Sequence, residues 1–155
     1  MPYQHLVSVV LPLEKKIEIL QKLAEIKDDL EFLLSLQPDE VKSIFKVANG
    51  YAPFIEKAYK TVNDHPEIIP AISSKDEFFK DYQLSQDLTL IANQVQELNE
   101  GLEKTLTAIN SDTLNGALEV YAAIKQHRDK VPGLNVVAQD LAEFFKKTIK
   151  KNHHP

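Results

Sequence analysis

The stretch 84–109, LSQDLTLIANQVQELNEGLEKTLTAI, decides the fold. In it Leu84, Leu88, Ile91, Val95, Leu98, Leu102, Thr105 and Ile109 fall at steps of 4, 3, 4, 3, 4, 3 and 4. An α-helix turns once in about 3.6 residues, so these positions share one face and form a nearly unbroken apolar stripe. The spacing predicts a long helix whose stripe is buried against partner helices.

Upstream, Ser74-Lys75-Asp76-Glu77 has the form of a capping box, the serine bonding forward and the glutamate reaching back to the orphan N–H groups of a first turn. A pass of helix is therefore expected from there to Ile109, with an irregularity allowed near residues 81–85. Downstream, Asn110-Ser111-Asp112 is expected to end that pass and cap the next, whose face is Leu114, Ala117, Leu118, Tyr121 and Ile124. Val131-Pro132-Gly133 should break or bend it, because proline cannot continue the ladder and glycine tolerates unusual backbone angles. Leu134, Val137, Ala138, Leu141, Phe144, Phe145 and Ile149 carry the pass onward. Lys146, Lys147, Lys150 and Lys151 then sit where the negative end of a helix favours cations.

Two further passes precede the stripe. Pro12 suits a helix start, and Leu13, Ile17, Leu20, Leu23, Ile26, Leu30 and Leu33 or Leu34 face one way. After a short link at residues 36–37, Pro38-Asp39-Glu40 opens the second pass, with Val41, Ile44, Ala48, Tyr51, Ile55, Ala58 and Val62 as its stripe. Pro53 lies inside that stripe without breaking its phase. The expectation is a kinked but continuous helix eased by Gly50, with a full break at Asn49-Gly50 as the alternative. Asp64 to Pro70 reads as a proline-bounded connection holding at most a short helical turn. Short links imply antiparallel neighbours. The expected fold is all-α: an antiparallel up-down four-helix bundle with kinks or breaks at Pro53 and Pro132-Gly133. Residues 1–11 form an extended arm, 12–151 a single bundle domain and 152–155 a short tail.

Composition agrees with that class. The 155 residues include 43% hydrophobic and 26% charged side chains, four glycines and no cysteine. Disulfides, thiolate metal sites and cysteine nucleophiles are thereby excluded. A net charge of -5 argues against general nucleic-acid binding, which needs a dense cationic face. No apolar run approaches the roughly 20 residues of a membrane span. Residues 6–11 (LVSVVL) are too short for a secretory core and lack a basic leader, so a cytoplasmic location is the expectation.

Ala117-Leu118, Tyr121, Lys125, Val131-Pro132-Gly133, Leu141 and Phe145 together make a pattern ALxxYxxxK…VPG…LxxxF. It resembles the C-terminal half of a group of small bacterial helical proteins of unassigned function. The resemblance covers about a quarter of the chain, implies a helical bundle and a bacterial origin, and transfers no functional residue.

The chemical inventory is thin. Glu-x-x-His, which would set a carboxylate and an imidazole on one helix face for a carboxylate-bridged metal pair, does not occur. GxxxxGK[ST] and GxGxxG are absent as well. No cofactor or metal is expected, though His153-His154 resembles any surface histidine pair. Asp64-His65 with Glu67 is the one compact acid–imidazole group that suits general acid–base work. It also reads as a plain turn. Tyr51 and Tyr121 fall on core stripes, and the Asn49 carbonyl loses its helical donor at Pro53, so Asn49, Tyr51 and Tyr121 are the candidate ligand pocket. Leu6, Val7, Val9 and Val10 are too apolar to hang in water and form the candidate interaction arm. The expected function is a non-catalytic interaction or scaffold bundle that holds a protein partner or itself. The alternatives are a small-ligand binder with a pocket near Tyr51 and Pro53, and an enzyme using Asp64 and His65.

Overall fold

The computed structural model describes residues 5–44 and 50–151, with side chains through residue 147. The regular elements are α1 (Leu13–Asp29), α2 (Pro38–Ser43), α3 (Ala52–Asp64), a 3-10 helix (Pro66–Ala71), α4 (Lys75–His127) and α5 (Leu134–Lys151). No strand occurs among the described residues, so the class is all-α. No helix among them is long and apolar enough to cross a membrane. The chain divides into two compact units, Val10–Glu97 and Met1–Val9 with Leu98–Pro155.

In the first unit Pro12 stands just outside α1, and its carbonyl accepts the Lys16 N–H at 3.0 Å. Glu18 accepts from Lys15 at 3.2 Å and from Lys22 at 2.6 Å. These two ammonium groups hold the Glu18 carboxyl below the ordinary carboxylate range, Lys22 contributing most. The helix stops at Asp29, where the Leu30 N–H closes on the Ile26 carbonyl, short of the expected end at Leu33 or Leu34. Its stripe residues Leu13, Ile17, Leu20, Leu23 and Ile26 are all exposed.

The second pass departs from expectation. A capping box of Gln37 and Glu40 starts α2, and Ser43 ends it, with Ile44 extended at φ -86° and ψ 138°. A new helix, α3, begins at Ala52 with Pro53 in its first turn. There the missing proline N–H would have had no partner anyway and the fixed φ is already helical. The break alternative therefore replaces the kinked continuous helix. Asn49, with residues 45–48, lies outside the described residues. The connection after α3 does form a short helix: Pro66–Ala71 is 3-10, entered by the His65 N–H bonding the Thr61 carbonyl at 2.9 Å. It reverses the chain so that α3 meets the start of α4. Val62 is buried, and Ile55, Ala58, Tyr59, Phe78, Phe79 and Tyr82 are half-buried around it.

The largest correction is α4 itself. It runs unbroken for 53 residues through residues 81–85 and through Asn110-Ser111-Asp112, so the expected third pass and the first part of the fourth are one helix. Asn, Ser and Asp inside a helix each cost only about 0.7 kcal/mol or less, while a proline would cost about 3. None stands there. Thr113 instead bonds its hydroxyl back to the Ile109 carbonyl at 2.8 Å. With no reversal at 110–112, the helix that was to fold back over the stripe is spent extending it. Apart from half-buried Leu88, the apolar residues of the stripe are accordingly exposed, from 37% at Ile109 to 57% at Leu98.

In the second unit α4 gives way to α5 at the expected place. Lys130 and Val131 donate to the His127 carbonyl, and Gly133 adopts φ +88° before α5 begins. Ala138 of α5 is buried at 4% exposure. Tyr121 stacks on Phe145 with centroids 5.6 Å apart, and the Lys125 ammonium lies 4.5 Å over the Tyr121 ring. The N-terminal arm belongs to this unit through residue 9. Asp112, expected to cap a helix, instead accepts the Leu6 N–H at 3.2 Å, and His5 Nδ1 lies 3.8 Å from the same oxygen.

Candidate functional site

A recess lies in the first unit beside four aromatic rings. Residues 78, 79 and 82 project from about one turn of α4, and Tyr59 meets them from α3. Tyr59 stacks on Tyr82 with centroids 3.7 Å apart and planes 10° from parallel. It also meets Phe79 edge-on at 5.6 Å and lies 6.4 Å from Phe78. The edge-on and tilted pairs attract beyond the area they bury, by about 0.5–1.5 kcal/mol a pair. The cluster fixes how α3 and α4 meet.

A cleft of about 650 Å³ opens next to it. Ala52, Ile55 and Glu56 line it from α3, positions three and four apart and so on one face. Phe78, Asp81 and Tyr82 line it from the first turns of α4, followed by Ser85, Gln86 and Thr89. Thr89 uses its hydroxyl to bond the Ser85 carbonyl at 2.6 Å. Among the described residues the lining contains two carboxylates and no basic side chain. Neither Glu56 nor Asp81 forms an ion pair among the described residues.

Of the expected pocket residues, Asn49 lies outside the described residues, and Tyr51 and Tyr121 fall in different units. Tyr51 sits at the start of α3, about half exposed, one residue before the cleft lining begins. Tyr121 belongs to the other unit and packs on Phe145 there. Tyr51 does not line the cleft, whose walls are other residues. The run Phe78-Phe79…Tyr82 at helical spacing was the signal for them.

His65 Nδ1 lies 3.0 Å from Glu67 Oε1, with both side chains more than half exposed. Asp64 ends α3 beside them, and none of the three lines the cleft. An exposed pair lacks the dry, fixed surroundings that tune an acid–base catalyst. His153 and His154 lie outside the described residues. Among the described residues no group of three or more His, Asp or Glu side chains is placed to hold a metal ion. Within the arm Val7 is half-buried, while Leu6, Val9 and Val10 remain at least 75% exposed.

No protein family, curated protein or solved structure matches the chain.

Proposed function

We propose that this chain works by association, as a non-catalytic interaction protein whose apolar helix faces are its working surface. One observation carries the reading. Leu84, Ile91 and Val95 in the first unit, and Leu98, Leu102 and Ile109 in the second, stand exposed at the spacing of a helix-packing stripe. Scattered surface leucines need no explanation, but an ordered apolar row is what a protein covers with another surface. The stripe of α1 is exposed in the same way. A protein partner or a second copy laid on these faces would supply the four-helix packing that the spacing calls for. The arm, held to Asp112 through its backbone, turns Leu6 outward and adds to that surface.

Sedimentation equilibrium across a wide concentration range tests this. The wild type should gain mass with concentration. A Val95→Asp, Leu102→Asp double variant should stay monomeric with the same helical dichroism. A wild type that is monomeric throughout, together with a double variant that unfolds, would mean that the stripe is covered inside the chain and the association reading fails.

A second reading is favoured by the cleft. Its volume lies within the roughly 300–1,000 Å³ of small-molecule sites, and it combines apolar walls with a few polar groups. A small-ligand binder would use it beside, rather than instead of, the apolar faces.

A further inference from the structure

We propose that the cleft between α3 and the first turns of α4 binds a small organic cation with an apolar body. The inference rests on the ligand-binding reading above and adds the ligand's charge and shape. The charge follows from the lining. Among the described residues, Glu56 on the α3 wall and Asp81 on the α4 wall are its two ionised groups, and no lysine, arginine or histidine lines it. An anion there would face two like charges. A neutral apolar guest would take water from both carboxylates and return nothing. A cation offsets that loss at both walls.

The shape follows from the rings. Phe78 and Tyr82 line the cleft with Ile55 and Ala52 across from them. Tyr59 covers one face of Tyr82 at 3.7 Å, which holds that ring in place before any ligand arrives. A positioned aromatic surface attracts a cation through its quadrupole, most strongly where water is displaced. The same chain already makes such a contact elsewhere, with Lys125 4.5 Å over Tyr121. Carboxylates on both walls and a pre-set aromatic surface select a substituted ammonium over a hydrated metal ion, which would gain nothing from the rings.

The test titrates the full chain with three probes of one shape: benzyltrimethylammonium, benzyl alcohol and benzoate. Backbone amide shifts in α3 and residues 75–89 report binding. The cation should bind at least about tenfold more tightly than the alcohol, and benzoate should give no saturable shift. A Glu56→Gln, Asp81→Asn double variant should bring the cation down to the affinity of the alcohol. A Glu103→Gln variant, remote from the cleft lining, should leave it unchanged. Equal binding of cation and alcohol would overturn the charge assignment and leave the ligand-binding reading standing. No saturable shift with any probe would overturn both. The probe series on wild-type protein decides the matter even if the double variant fails to fold, and Tyr82→Leu then serves as the second variant, with the cation's advantage over the alcohol expected to shrink.

Discussion

The aromatic corner and the aliphatic stripe both belong to α4, yet among the described residues the corner packs on α3 while the stripe, apart from half-buried Leu88, stands exposed. Phe78, Phe79 and Tyr82 meet Tyr59 because the chain reverses just before them, through Pro66, Pro70 and a 3-10 helix. The stripe has no such reversal after it, since α4 passes straight through residues 110–112. Periodicity states which side chains share a face. A reversal decides what covers that face.

The sharpest way to break this contrast is to place a charge on each side of it. Val62→Asp puts an unpaired carboxylate in a buried position of the first unit and should cost about 3–5 kcal/mol in denaturant unfolding. Leu98→Asp, on a side chain 57% exposed, should cost under about 1 kcal/mol in dilute protein. Comparable losses at the two sites would erase the distinction between them.

Truncating the stack comes next. Tyr82→Ala should destabilise by about 1–3 kcal/mol, combining lost burial with lost ring attraction, while Tyr82→Phe keeps most of the stability. Equal effects of the two variants would mean that the hydroxyl, not the ring, holds the corner.

Smaller effects of opposite sign are expected at two glycines. Gly133→Ala forces a side chain onto φ +88° and should cost about 1 kcal/mol or more. Gly101→Ala adds a methyl group into open space in the middle of α4 and should stabilise by about 0.5–1 kcal/mol in dilute protein. Thermal melts of both variants, read against each other, check the unbroken helix and the break after it together.

The smallest expected effect concerns α1. Its Glu18 carboxyl is depressed, so the pairing is present above the ordinary glutamate range and is lost as pH falls through the folded-state value. Lys22→Ala should move the Glu18 titration upward by NMR and leave α1 helical. A titration unmoved by that change would assign the depression to Lys15 alone.

Much of the helix layout was legible from local rules. Pro38 and Glu40 opened a helix, Ser74 preceded one, and Pro132-Gly133 separated two. These signals are short-range: a fixed φ, a missing donor or a carboxylate near an orphan N–H acts within one turn. Asn110-Ser111-Asp112 misled because residues that favour caps only weakly oppose a helix interior, and strong helical sequence on both sides outweighs them. Pro53 misled for the opposite reason. A stripe in phase argued for continuity, but a proline is tolerated without loss in a first turn, and the chain restarts its helix there. The residues that line the cleft were not legible in the sequence. Tyr59 and Tyr82 are 23 positions apart in the chain, and nothing local shows that a proline-bounded 3-10 turn will stack them.

Thiol accessibility tests whether the α4 stripe faces outward and is covered only on association. The chain has no cysteine, so an introduced one reports without background. Leu98→Cys should react rapidly with a thiol reagent in dilute protein and more slowly as concentration rises, while Ala138→Cys should be protected at every concentration. If Leu98→Cys is as protected in dilute protein as Ala138→Cys, the stripe is buried within the single chain and the account is wrong.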